Sequence, residues 1–108
     1  MPMSMKKLSA ALLLEIAVLA PMSCLASEAL TAKYACLACH QPAQKSVGPS
    51  WQQIAEKSRA DGKTAAQLAA SIRSGGSGRW GSMPMPPQPQ VPDTDLQALA
   101  AWILAYDR

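Results

Sequence analysis

Cys36-Leu37-Ala38-Cys39-His40 sets two thiols three positions apart and an imidazole directly after the second. This C-x-x-C-H spacing is that of covalent haem attachment. Each thiol can add to one of the haem vinyl groups, and the next residue then brings its ring beneath the iron. The same two cysteines could instead form a structural disulfide, a thioredoxin-like redox couple or half of a zinc site. A zinc site needs further Cys or His, and beyond the motif the sequence has only Cys24 and no second histidine. A thioredoxin-like couple needs a βαβ setting, and no stretch alternates as a strand does. Covalent haem bonding through Cys36 and Cys39, with His40 on the iron, is the reading these residues favour.

His40 is the sole histidine of the chain, which excludes two-histidine ligation within it. The second axial position falls to Met83, Met85 or a lysine, or stays open to small molecules. Both methionines lie in Ser82-Met83-Pro84-Met85-Pro86-Pro87, where prolines stiffen the backbone around a projecting side chain. Those surroundings favour a methionine. His plus Met ligation raises the reduction potential, because a neutral thioether donates weakly and disfavours ferric iron.

Short helices must position these groups. Residues 29–35 are apolar and Ala-rich and predict a helix running into Cys36, whereas Pro42, Gly48 and Pro49 mark residues 41–50 as loop. Trp51, Ile54 and Ala55 recur at helical spacing, which predicts a helix over residues 50–58. Thr64 with Gln67 makes a capping box, and Gly75-Gly76 ends the helix that follows over residues 64–74. Four glycines and five prolines bar regular structure over residues 75–92, and so long a loop in a small domain is usually functional. Asp93 or Thr94 is the expected cap of a last helix carrying Leu96, Leu99, Ala100 and Ile103 on one face, with Trp102 and Tyr106 beside it. The expected fold is all-α, with about four short helices and a Pro/Gly-rich loop around one haem. Leu30, Leu96, Leu99 and Ile103 read as core, and Trp51 and Trp102 as packing.

On these residues the chain resembles the class I cytochromes c, in particular the small periplasmic bacterial type that donates electrons to nitrite reductases and terminal oxidases. The resemblance spans nearly all of residues 27–108. It rests on the CLACH motif, Val47-Gly48-Pro49, Arg79-Trp80-Gly81 ahead of the Met-Pro repeat, and a closing helix with Trp102. It implies that Met85, just before Pro86-Pro87, is the iron ligand and that Met83 is a neighbouring apolar residue. It also implies that the Pro49 carbonyl accepts a hydrogen bond from the proximal histidine, and that the Trp80 indole reaches a haem propionate. Two positions depart from the pattern: Gln88 stands where that subtype has Asn, and Ser71 where an Arg is common.

Composition and charge narrow the setting. The 108 residues are 49% hydrophobic and 16% charged, too apolar for disorder and too few for a large enzyme fold. With three Trp, two Tyr and no Phe, the side chains alone make a thin core. A covalently held macrocycle would fill it. The net charge of +3 is spread along the chain, which gives little reason to expect nucleic-acid binding. Lys6 and Lys7 precede an apolar run over residues 8–19, and small residues around Ala26 or Ala29 offer cleavage sites, so residues 1–26 read as a cleaved secretory signal. Glu15 interrupts that run, and an acidic residue at the bilayer centre costs roughly 2.5 kcal/mol or more, which disfavours an uncleaved anchor. Lipidation at Cys24 is the minor alternative, since Pro21-Met22-Ser23 fits a lipoprotein site poorly. Residues 27–108 keep eight basic and six acidic residues, a net charge of +2. Lys33, Lys45, Lys57, Arg73 and Arg79 read as solvated surface.

The function expected is that of a monomeric periplasmic one-electron carrier without catalytic residues or stable membrane insertion. A respiratory complex would be its donor and a nitrite reductase, oxidase or peroxidase its acceptor. A haem enzyme or gas-sensing domain with a labile sixth ligand is the alternative, and a copper-handling protein using the methionines and cysteines a more distant one.

Overall fold

Ser50 and Thr64 start two helices by the same device in the computed structural model, which describes residues 22–107. The Ser50 hydroxyl accepts from the Gln53 amide at 3.1 Å, while the Ser50 amide donates to the Gln53 side chain at 2.9 Å. Thr64 and Gln67 repeat the exchange at 3.1 and 2.9 Å. Each exchange satisfies donors that a helix start leaves orphaned. In chain order the helices are α1 (Met22–Lys33), α2 (Trp51–Ala60), α3 (Ala65–Ser74) and α4 (Asp93–Leu104), with a turn of 3-10 helix over Cys36–Ala38. No strand occurs among the described residues, only a single antiparallel bridge pairing Gly76 with Met85.

The expected helix over residues 29–35 differs at both ends. It begins at Met22 and stops at Lys33, because Ala35 takes a left-handed conformation with φ 58° and turns the chain into the 3-10 segment. A left-handed residue with a Cβ costs roughly 1–2 kcal/mol, and a methyl is the smallest side chain that meets it. The start of α4 also differs from expectation. Pro92 holds the cap position without a side-chain hydrogen bond, and Asp93 lies inside the first turn. Its carboxylate is drawn instead to Arg73, 2.6 Å away. The apolar run, Lys6, Lys7 and Glu15 of the expected leader lie outside the described residues.

Helix α4 is the hub, packing against α1, α2 and α3. Leu96, Leu99, Ala100 and Ile103 of α4 are buried with Trp51 and Ile54 of α2, Leu68 and Ala69 of α3, and Val91 from the loop, and half-buried Leu30 of α1 packs against them. Two polar ties fasten the ends. The Tyr34 hydroxyl donates to the Asp95 carboxylate, and Arg59 of α2 donates to the carbonyls of Leu104 and Tyr106 at 3.0 and 2.9 Å. Those carbonyls lie at a helix C-terminus, where acceptors are left over and a cation is favoured.

Candidate haem site

His40 leaves the 3-10 turn with its amide bonded to the Cys36 carbonyl at 3.0 Å. Its Nδ1 lies 2.7 Å from the Pro49 carbonyl oxygen. A carbonyl only accepts, so Nδ1 carries the proton and Nε2 keeps its lone pair for a metal. The ring is held on other sides too. Trp51 stacks on it with centroids 4.8 Å apart. Gly48 passes so close that a Cβ there would come within 2.8 Å of the His40 Cε1. The Gly48 amide donates to the Cys39 carbonyl at 2.8 Å, and the Trp51 amide to the Gln41 carbonyl at 2.9 Å, which folds residues 41–50 back onto the imidazole.

Cys36 and Cys39 are both half-buried. Burial is the main influence raising the Cys36 pKa, reinforced by Cys39 and opposed by a backbone hydrogen bond. Cys36, Cys39, His40, Trp80, Met83 and Met85 all line one cavity of about 1210 Å³. That exceeds the roughly 300–1,000 Å³ of ordinary ligand pockets and suits a macrocycle. Among the described residues no three His, Cys, Asp or Glu side chains converge to hold a metal ion by themselves. The Cys36 and Cys39 side chains beside His40 are the donor set that a covalently attached haem requires.

The two methionines differ sharply in their surroundings. Met85 is half-buried, its amide donating to the Gly76 carbonyl at 2.8 Å and its carbonyl accepting from the Gly76 amide at 3.0 Å. This pairing depends on Gly75, where a Cβ would meet the Met85 carbonyl at 2.3 Å and where φ is 63°. Met83 is 62% exposed. Trp80 lies at the cavity with the Lys57 ammonium 5.5 Å from its ring centroid. Of the two departing positions, Ser71 donates to the Gln67 carbonyl and accepts from Lys63, while Gln88 donates to the Pro86 carbonyl and accepts from Gln90. Arg73 is not the solvated side chain expected, since its guanidinium bonds to loop carbonyls and to Asp93. Gly48 and Trp51 are the supporting residues whose part the sequence reading missed. The adjacency of Gly48 to Pro49, and of Trp51 to the Ser50 cap, was the available signal.

A sequence model of the family described as "Cytochrome C oxidase, cbb3-type, subunit III" matches residues 25–103. The chain is 42% identical over 82 residues to cytochrome c-551 of Allochromatium vinosum, covering 76% of this chain and 87% of that protein. It is 48% identical over 75 residues to cytochrome c-552 of Nitrosomonas europaea, covering 69% of this chain and 73% of that one. The chain belongs to the class I cytochromes c. The crystal structure of wild-type Nitrosomonas europaea cytochrome c552 superposes with a TM-score of 0.70 at 45% identity, covering 74% of this chain and 99% of that chain. The cytochrome carries one covalently attached c-type haem, for which Cys36 and Cys39 stand in the required C-x-x-C spacing. It is an electron carrier and not an enzyme.

Proposed function

We propose that this cytochrome is a periplasmic one-electron carrier whose haem iron is held between His40 and Met85. The bound haem supplies a ferrous/ferric couple, and the chain's own residues set its ligands and its access to partners. The observation that carries the reading is the pairing of Met85 with Gly76, which fixes this methionine at the cavity that His40 also lines, while Met83 is left mostly in solvent. The proton on His40 Nδ1, directed to Pro49, leaves Nε2 for the iron and makes the imidazole a better donor. In this reading Trp80 would donate its indole N–H to a haem carboxylate, and the Lys57 ammonium, 5.5 Å from its ring centroid, would offset part of that negative charge.

Residues 1–26 act as the secretory signal in this reading, with cleavage after Ala26. Thr31 is 1% exposed and stays in the chain under either cut, whereas cleavage after Ala29 would also remove Ser27. No described helix is long and apolar enough to cross a membrane. Val47, Trp80 and Met83 are exposed apolar side chains lining the cavity. They suit brief apolar docking by a monomer with a respiratory donor complex and with a nitrite reductase, oxidase or peroxidase as acceptor.

Replacement of Met85 by Ala should abolish the weak far-red sulfur-to-iron absorption and open the ferrous protein to carbon monoxide. Met83→Leu should keep both properties of the unaltered protein, because a volume-conserving swap costs less than about 1.5 kcal/mol. Loss of the band in the Met83 variant alone would move the ligand role to Met83. Ready uptake of carbon monoxide by the unaltered protein would overturn the Met85 ligation in favour of an open sixth site.

A further inference from the structure

The segment leading from Met85 into α4 is short of hydrogen-bond donors. Pro86, Pro87, Pro89 and Pro92 have no N–H, so carbonyl acceptors outnumber amide donors along it. The Gln88 amide reaches back to α3, donating to the Arg73 carbonyl at 3.1 Å. The Arg73 side chain then answers the acceptors. Its Nη1 donates to the carbonyls of Gln88 at 2.8 Å and Val91 at 2.7 Å, with a longer contact to Pro89 at 3.3 Å. Its Nη2 donates to the Asp93 carboxylate at 2.6 Å. Only a guanidinium offers several N–H groups in one rigid plane. The backbone of Met85 itself is gripped by Gly76, three residues beyond Arg73. The end of α3 and the glycine turn after it thus hold the loop at the methionine and beyond it.

We propose that Arg73 is a positioning residue for the iron ligand: by fastening residues 88–93 to α3 it keeps the Met85 strap closed and the sulfur seated on the iron. The inference rests on the Met85 ligation proposed above. Were the strap to open, the Met85 sulfur would leave the haem iron and added carbon monoxide could take its place, with no electron transferred. The buried contacts of α4 with α1 and α2 do not include Arg73 and should persist.

The test uses the haem-loaded protein with Arg73→Gln, Arg73→Lys, Asp93→Asn and, in parallel, Met85→Ala. Loss of charge-assisted bonds to three carbonyls should raise carbon monoxide binding by the reduced Arg73→Gln protein roughly tenfold or more at a fixed subsaturating concentration. Its far-red absorption should weaken, and amide exchange should speed up at Gln88 and Met85 while amides of α1 and α2 stay protected. Arg73→Lys should recover part of each effect. Asp93→Asn should stay within about twofold of the unaltered protein, because the Asp93 side chain is 92% exposed and such surface pairs contribute little. Unchanged carbon monoxide binding in Arg73→Gln, equal acceleration of exchange in every helix, or an Asp93→Asn effect as large as that of Arg73→Gln would each overturn the proposal. If Met85→Ala loses the far-red band while Arg73→Gln is unaffected, only the role of Arg73 fails. If Met85→Ala keeps the band, the ligation reading fails first.

Discussion

Between Gly48 on one side and the Trp51 indole on another, the His40 ring has almost no room to turn. Its Nδ1 is anchored 2.7 Å from the Pro49 oxygen and its face is covered at 4.8 Å by the indole. A methyl group at position 48 would lie 2.8 Å from Cε1, so either the ring or the loop must shift. Gly48→Ala should therefore destabilise the haem-loaded protein by about 1–3 kcal/mol, the usual cost of overpacking. Guanidinium denaturation followed by haem absorbance measures it, and a stability equal to the unaltered protein would show that the loop yields freely. The five residues of the CLACH motif were legible because covalent attachment fixes their types and their spacing in one short stretch. The contacts of Gly48 and Trp51 were not, because they depend on how residues 41–50 fold back over the ring. Trp51 read simply as packing; what it packs against is His40.

At the level of elements, local chemistry explains the middle of the chain and tertiary ties explain the ends. The capping box of Thr64 and Gln67 and the stop at Gly75 bound α3 close to where the sequence puts it, since each needs only neighbours within a turn. The start of α4 moves by contrast, because Asp93 meets the guanidinium of Arg73 and Asp95 meets Tyr34, both from distant segments. The Tyr34 hydroxyl has its pKa raised, mainly by the hydrogen bond to Asp95, with desolvation and the carboxylate charge adding and Lys33 opposing. A raised value in the folded state means that this tie contributes fully below the ordinary tyrosine pKa of about 10 and is lost as pH climbs through the folded value. Tyr34→Phe should therefore lower stability near neutral pH and remove that part of the alkaline loss. Thermal melting between neutral and strongly alkaline pH checks this, and parallel pH profiles for the two proteins would count against the tie.

For the molecule as a whole, the fold is a thin helical shell around a cavity of about 1210 Å³. The side chains that close its core are few, and α4 binds them together. A net charge of only +2 over residues 27–108 gives weak long-range steering. If the proposed apolar docking at the cavity mouth holds, electron-transfer rates with a redox partner should change by less than roughly tenfold between low and moderate ionic strength. Stopped-flow kinetics across a salt series tests this, and a steeper fall would assign docking to Lys45, Lys57 and Arg79. The sequence by itself determined the all-α class, the covalent haem chemistry and the exclusion of a second histidine ligand, because these follow from residue types and short spacings. It also favoured the Met-Pro repeat over a lysine or an open site as the source of the second ligand. Only the tertiary structure decided which methionine is clasped by Gly76, that Arg73 fastens the loop beyond it, and that Trp51 backs the imidazole. Those outcomes depend on segments distant in sequence meeting through backbone hydrogen bonds and close approach, which no local pattern encodes.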